Sequence, residues 1–177
     1  MEYTDEFINS LIACAKEIIE APKKEMVTDF SHRRNDMRLC STDKKYHFMV
    51  FMRQSEAFNE NFTIGLNFMP QTGEPTLCLF RCNGPHGEHI NRLDDNHFIG
   101  YHIHIAKYEY IRSGLKSDKY AELTHEYATF DDALAFFLEK CNVVNASEYF
   151  KITKAEIDNQ LELFNDGSSS DPDKKTI

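Results

Sequence analysis

The apolar residues near the start of the chain recur at helical spacing. Over residues 4–21, Phe7, Leu11 and Ile18 are separated by four and seven positions, so they share one face of a helix. Pro22 cannot continue such a helix and marks its end. The pattern predicts an amphipathic helix that packs against the rest of the fold.

Alternating and continuous apolar segments follow after a polar stretch. They predict four to five strands, at residues 37–41, 46–53, 62–69, 76–82 and 97–108. Short connections separate most of these segments, which favours antiparallel neighbours. The sequence therefore predicts an antiparallel sheet.

The pattern returns to helical spacing in the last third of the chain. Thr129 precedes an acidic first turn and is a good N-cap for a helix that ends at about Cys141. A further helix is predicted over 153–164. The predicted fold is α+β, with N-terminal and C-terminal helices packed on one face of a sheet of four to five strands. One domain would span 1–165, and an acidic tail over 166–177 would be disordered.

Composition limits the class of protein. The chain has 177 residues, of which 41% are hydrophobic, and this is enough for one ordinary core. It has no apolar run of 18 residues, so no membrane span is expected. The acidic N-terminus does not resemble an export signal, and the five scattered cysteines form no C-x-x-C pair. We expect a cytoplasmic protein with reduced thiols.

Charge is distributed unevenly along the chain. The formal net charge is −9, which argues against a protein that coats duplex DNA. Residues 1–31 carry three basic and seven acidic side chains, and residues 117–177 carry six and thirteen. The segment 32–116 carries eleven basic and nine acidic side chains. A mildly basic centre between acidic ends suits a small anion or a short stretch of RNA.

The sharpest chemical feature is the sequence His102-Ile103-His104. In a strand, residues two apart point to the same side, so both imidazoles would leave one face about 7 Å apart at their Cα atoms. Arg81 and Asn83 end the preceding predicted strand with the same spacing. If the two strands are neighbours, the four side chains converge. The alternative is that the two histidines lie on a solvent-exposed face of the sheet and have no function there.

The loop over 83–96 adds further candidates. It carries His86 and His89, and glycines on both sides of His86 would let backbone amides approach an anion. We expect a site on an open face of the sheet. Its predicted catalytic residues are His102, His104, His86 and Arg81, and its predicted substrate-binding residues are Asn83, His89 and Arg92.

Two chemistries fit these residues. The first needs no cofactor: one histidine takes the proton from an RNA 2′-hydroxyl, another protonates the leaving oxygen, and Arg81 stabilises the phosphate. The second is a zinc or other divalent-metal site. Its ligands would be His86, His89, His102 and His104, with Cys82 or Asp95 nearby. Because the spacing matches no standard zinc module, we rank metal binding second.

The segment Leu79-Phe80-Arg81-Cys82-Asn83-Gly84-Pro85-His86-Gly87-Glu88-His89, followed by Tyr101-His102-Ile103-His104, resembles a group of small uncharacterised bacterial proteins. These share an R-x-N-G-x-H loop, an H-x-H strand and a Phe-Asp-Asp-Ala-Leu helix. The segment is also distantly similar to TumE-like toxins of toxin–antitoxin modules. The resemblance covers about residues 78–142 and implies a bacterial or phage accessory protein that acts on RNA. Cys82 stands where the resemblance would place an acidic residue.

Three hypotheses follow from the sequence. The first is a toxin-like, metal-independent ribonuclease, and the expected partner is RNA or a protein, either an antitoxin or a defence complex. The second is a non-catalytic acidic protein that inhibits or binds a partner in a phage–host conflict, because acidic flanks can mimic nucleic acid. The third is a sensor of a metal or small ligand.

Overall fold

The computed structural model of the protein describes residues 3–71 and 73–151. The predicted helix over 153–164 and the predicted tail over 166–177 lie outside these residues. Within the described part, no helix combines the length and the apolar character that a membrane crossing requires.

The first helix is shorter than predicted. Helix α1 spans Asp5–Ala13, and the hydroxyl of its N-cap Thr4 accepts a hydrogen bond from the amide of Phe7 at 3.3 Å. The chain becomes extended at Cys14, and Lys16–Glu20 forms strand β1. The prediction of one helix over 4–21 was therefore wrong, because the second half of that segment pairs with β3 as a strand at the edge of the sheet.

The main sheet is larger than predicted. It has eight strands in the order β1-β3-β4-β5-β6-β9-β10, and β2 pairs with β3. Its remaining strands are β2 Val27–Asp29, β3 His32–Ser41, β4 His47–Ser55, β5 Phe62–Met69, β6 Leu77–Asn83, β9 His102–Ile105 and β10 Ala121–Leu123. All the strand pairs are antiparallel.

The predicted α+β class with four to five strands is contradicted by this sheet and by the low helix content of the described chain. Helix α1 is accompanied by two others, α2 Tyr108–Arg112 and α3 Phe130–Lys140. The polar segment before residue 37 is the main source of the error, since it forms β2 and the first half of β3. Most of its side chains are exposed and polar, so the sequence there shows no alternation of apolar and polar residues.

The predicted strand over 97–108 is two strands. Strand β8, Asn96–Ile99, pairs with β7, Glu88–Asn91, in a separate two-stranded hairpin. Gly100 follows with φ of +144°, a conformation that other residues rarely adopt, and the chain then enters β9. The predicted long loop thus contains one arm of a hairpin.

Helix α3 confirms the sequence prediction. Its N-cap Thr129 accepts a hydrogen bond from the amide of Asp132 at 3.2 Å, and the helix ends at Lys140. Its buried face contacts the sheet, where the rings of Phe137 and Phe80 lie 5.9 Å apart. Helices α1 and α3 share one hydrophobic core with the face of the sheet that α3 contacts.

The two faces of the main sheet differ. The core face carries apolar side chains from four strands: Leu39, Phe48, Val50, Phe62, Ile64, Leu66, Phe80 and Cys82. The opposite face, which we call the second face, carries the alternate positions of the same strands. Its central part includes Gly65 of β5 beside Arg81 of β6. The histidine pair lies on this second face.

Candidate functional site

Strands β6 and β9 are neighbours, which meets the condition on which the convergence of the site residues depended. Their antiparallel register places Arg81 opposite His104 and Asn83 opposite His102. Residues directly opposite in such a ladder have Cα atoms about 4.5–5.5 Å apart and point to the same face. The predicted convergence of these four side chains is therefore confirmed.

The prediction of an open face over the histidines was wrong, because a hairpin, and not a helix, covers the second face there. One side of the β7–β8 hairpin presents His89, Phe98 and Asn91 to β9. The Asn91 side chain holds the hairpin to strand β10, because its amide donates to the carbonyl of Ala121 at 2.8 Å and its oxygen accepts from the Ala121 amide at 2.9 Å. This cover buries His102 and His104, which are 1% and 2% exposed.

Four histidine rings form one cluster, which we call the histidine cluster. The ring centroids of His102 and His104 are 4.9 Å apart, and that of His89 lies 4.8 Å from His104 and 5.5 Å from His102. The exposed ring of His86 lies 5.0 Å from His102 and forms the rim of the cluster.

Hydrogen bonds fix the proton position on two of these rings. Nδ1 of His102 lies 2.8 Å from the carbonyl oxygen of Gly100, so this nitrogen must carry the hydrogen and donate it. Nε2 of His102 therefore holds the lone pair, and it is buried with no hydrogen-bond partner among the described residues. Nε2 of His89 donates to the carbonyl of Lys119 at 3.1 Å, which leaves the lone pair on Nδ1.

His104 is held less firmly. Its Nε2 lies 3.5 Å from Nδ2 of Asn83, and its Nδ1 is buried without a hydrogen-bond partner in the described part of the chain. Nδ2 of Asn83 also lies 2.8 Å from Nε2 of His86, so this amide links the rim of the cluster to its centre.

Burial keeps the inner histidines neutral. Desolvation is the largest cause that lowers the pKa of His102 to about 4, and it lowers the pKa of His104 to about 2. It also lowers the pKa of His89, and the positive charge of Arg81 adds to the effect on all three rings. At neutral pH these imidazoles are therefore uncharged and offer lone pairs.

Arg81 has an acidic partner that the sequence did not reveal. Its Nη1 lies 3.3 Å from a carboxylate oxygen of Asp118, and the two side chains are 23% and 18% exposed. Asp118 lies in a short 3-10 turn, Ser117–Lys119, within a stretch that the sequence shows only as polar. Since no motif surrounds it, only the tertiary structure reveals this residue.

Other predicted members of the site lie elsewhere. Arg92 is exposed in the turn between β7 and β8, so its role as a substrate-binding residue stays a prediction. Cys82 is opposite Ile64 and Ile103 and belongs to the buried core face, which removes it as a metal ligand for the cluster. Asp95 is exposed in the hairpin turn, where it contacts His97 at 3.2 Å.

The geometry offers three convergent donors. One ligand nitrogen from each of His89, His102 and His104 can be chosen so that all three lie within 4.8 Å of one another. Histidine is the commonest metal ligand in proteins, and neutral imidazole suits zinc, copper, iron and nickel. The inner histidines thus have the residue type and protonation state of a metal-binding set, and they lie close to one another.

Comparison with known proteins gives one match. A family model described as a family of unknown function (DUF6978) matches residues 3–143, which include every strand and all three helices described above. No curated protein and no solved structure matches the chain.

Proposed function

The chain belongs to the DUF6978 family, whose function is unknown, and we propose that it is a metalloprotein that holds a divalent transition-metal ion, zinc foremost. The proposed ligands are His89, His102 and His104. This reverses the order of preference that the sequence alone suggested.

One observation carries the proposal: one ring nitrogen from each of these three histidines can be chosen so that all three lie within 4.8 Å of one another. A buried polar atom without a partner costs free energy, and Nε2 of His102 and Nδ1 of His104 are two such atoms. A bound metal ion would satisfy both. In a tetrahedral zinc site the ligand nitrogens are about 3.4 Å apart, so the rings need to close by about 1.4 Å.

A three-histidine set leaves one coordination position of zinc for water or substrate. This is the arrangement of catalytic and not of structural zinc sites, and it lowers the pKa of bound water to about 7. We therefore propose that the bound metal supports a hydrolytic reaction. RNA, the substrate predicted from the sequence, is one candidate that this chemistry can accept.

The metal-independent ribonuclease mechanism is less well supported than before. It requires one histidine to be protonated near neutral pH, and burial lowers the pKa of His102 and His104 well below that range. The resemblance to TumE-like toxins and the role as an acidic partner protein stay predictions. We also propose a reducing compartment such as the cytoplasm, because all five cysteines are free.

Metal content tests the proposal directly. The purified protein is stripped with a chelator and titrated with Zn²⁺ and Co²⁺, and we expect one equivalent to bind and to raise the thermal midpoint. His89→Ala removes a half-buried ligand and should abolish stoichiometric binding while the protein remains folded. His97→Ala is the matched control, because this exposed histidine lies outside the histidine cluster and pairs with the carboxylates of Glu88 and Asp95.

Two results would reject a metal centre. One is a wild-type protein that binds no stoichiometric Zn²⁺ or Co²⁺ at neutral pH. The other is a His89→Ala protein that binds the ion as tightly as wild type does. Because His102 and His104 are buried, their alanine variants are interpreted only after circular dichroism shows a native fold.

A further inference from the structure

Arg81 lies beside the proposed metal centre with unused hydrogen-bonding capacity. It is the cross-strand partner of His104, which places it next to the ligand set on the second face. Its ion pair with Asp118 uses Nη1, at a distance of 3.3 Å. Its Nε is buried and has no hydrogen-bond partner among the described residues. A guanidinium group has five N–H donors in a fork that matches an oxyanion, and the Nε–H of Arg81 is available for such a contact.

The charge of the loaded site would be positive. The three histidine ligands are neutral, and Arg81 and Asp118 cancel each other, so a divalent ion would add two uncompensated charges. Uncompensated charge in a partly buried space is unfavourable and draws in an anion.

The exposed side of the cluster is its rim at His86. His86 is exposed and its ring contacts the ring of His102, so the rim at His86 lies against the buried centre. Gly87, next to His86, has a φ of +116° and open space where a side chain would be. The loop therefore places little bulk at this edge of the site.

We propose that the metal and Arg81 together bind a small oxyanion, a phosphate or a carboxylate group, which occupies the open coordination position. This inference rests on the proposed metal centre and names the ligand class of that same site. The oxyanion bonds to the metal through one oxygen and accepts hydrogen bonds from Arg81 through another. Arg81 is thus a binding residue for the anionic group of the substrate.

Cobalt-loaded protein tests this inference. Co²⁺ in a tetrahedral site absorbs visible light, and the spectrum changes when the fourth ligand changes. We expect inorganic phosphate, acetate or both to shift the wild-type spectrum with saturation. Tighter binding of phosphate would indicate a phosphate ester as substrate, and tighter binding of acetate would indicate a carboxylate. Arg81→Met should retain Co²⁺ and bind the anion at least tenfold more weakly, and Arg81→Lys should be intermediate.

The control is Arg53→Met, which removes another arginine of the second face that is paired with a carboxylate, Asp36, at 2.8 Å. It should leave the anion titration unchanged. Failure to bind Co²⁺ at all would reject the metal centre. Normal Co²⁺ binding with no spectral response to either anion in the wild type would reject only the oxyanion site. An Arg81→Lys or Arg81→Met protein that binds the anion as tightly as wild type does would also reject only the oxyanion site.

Discussion

Arg81 and His104 are direct cross-strand partners, so a permanent cation stands next to a buried imidazole. Burial is the main reason that the pKa of His104 is low, and the charge of Arg81 is the second. The pair therefore combines a neutral donor ligand with a fixed positive charge. The fixed positive charge attracts an anion, and the low pKa of His104 opposes proton transfer by this ring. The pair therefore favours a metal ion that is bound together with an anion.

Asn91 is expected to control metal affinity without touching the metal. Its side chain holds the β7–β8 hairpin to Ala121 and lies 3.2 Å from Nε2 of His89. Asn91→Ala would free the hairpin and the ring, so we expect the Zn²⁺ dissociation constant to rise about 10–100-fold, the usual effect of losing a partner of a ligand. Isothermal titration calorimetry measures the change.

Hydrogen exchange distinguishes this role from general damage. In the Asn91→Ala protein, protection should fall over residues 88–99 and remain in strands β4 and β5. Zn²⁺ should restore part of the lost protection in the hairpin, because closing the ligand set draws His89 towards β9. Unchanged metal affinity, together with a mobile hairpin, would contradict the prediction.

Gly65 and Phe51 are expected to show coupled energetics on the second face. They are cross-strand partners, and a Cβ built on Gly65 would lie 2.3 Å from Cζ of Phe51. Gly65→Ala would force this ring to move and should cost about 1–3 kcal/mol. In the Phe51→Ala background the same change should be nearly neutral. Urea unfolding of the four proteins gives the coupling energy, and strictly additive effects would refute the proposed contact.

The sequence predicted which side chains converge more accurately than it predicted the strands of the sheet. His102, His104, Arg81 and Asn83 were found because strand periodicity fixes which residues share a face, and this holds whatever the size of the sheet. The hairpin that covers them was missed, since Glu88–Asn91 is too short and polar to show alternation. Asp118 was missed for a related reason, because its position depends on a turn that packs against β6 from a distant part of the chain.

Lys16 is expected to be a major contributor to stability. Its ammonium is fully buried and donates to the carbonyls of Ile12, Cys14 and Cys141 at 2.7–3.0 Å, which joins the C-terminal ends of α1 and α3. Lys16→Met would leave three buried acceptors without this donor and should destabilise the protein by about 2–4 kcal/mol.

An exposed lysine provides the control. Lys44 pairs with Glu17 at the surface at 2.8 Å, and such pairs contribute about 0–1 kcal/mol, so Lys44→Met should change the unfolding midpoint little. Equal losses in the two variants would show that the buried hydrogen bonds of Lys16 contribute no more than a surface pair does.

Stability should decline at alkaline pH because of the buried thiols. Burial raises the pKa of Cys141 to about 12, whereas an unfolded chain releases this proton near pH 8.5. Between these values the folded state binds more protons than the unfolded state, so the free energy of unfolding falls as pH rises. Burial acts in the same direction on the pKa of Cys78 and Cys82.

Cys141→Ala isolates one of these contributions. The variant should lose some stability at pH 7, where the thiol only fills space in the core. From pH 9 to 11, however, its unfolding free energy should fall less steeply than that of wild type, by up to about 1.4 kcal/mol per pH unit. Urea unfolding under reducing conditions at each pH measures both slopes. Parallel slopes would mean that the Cys141 thiol ionises as easily in the folded protein as in the unfolded chain.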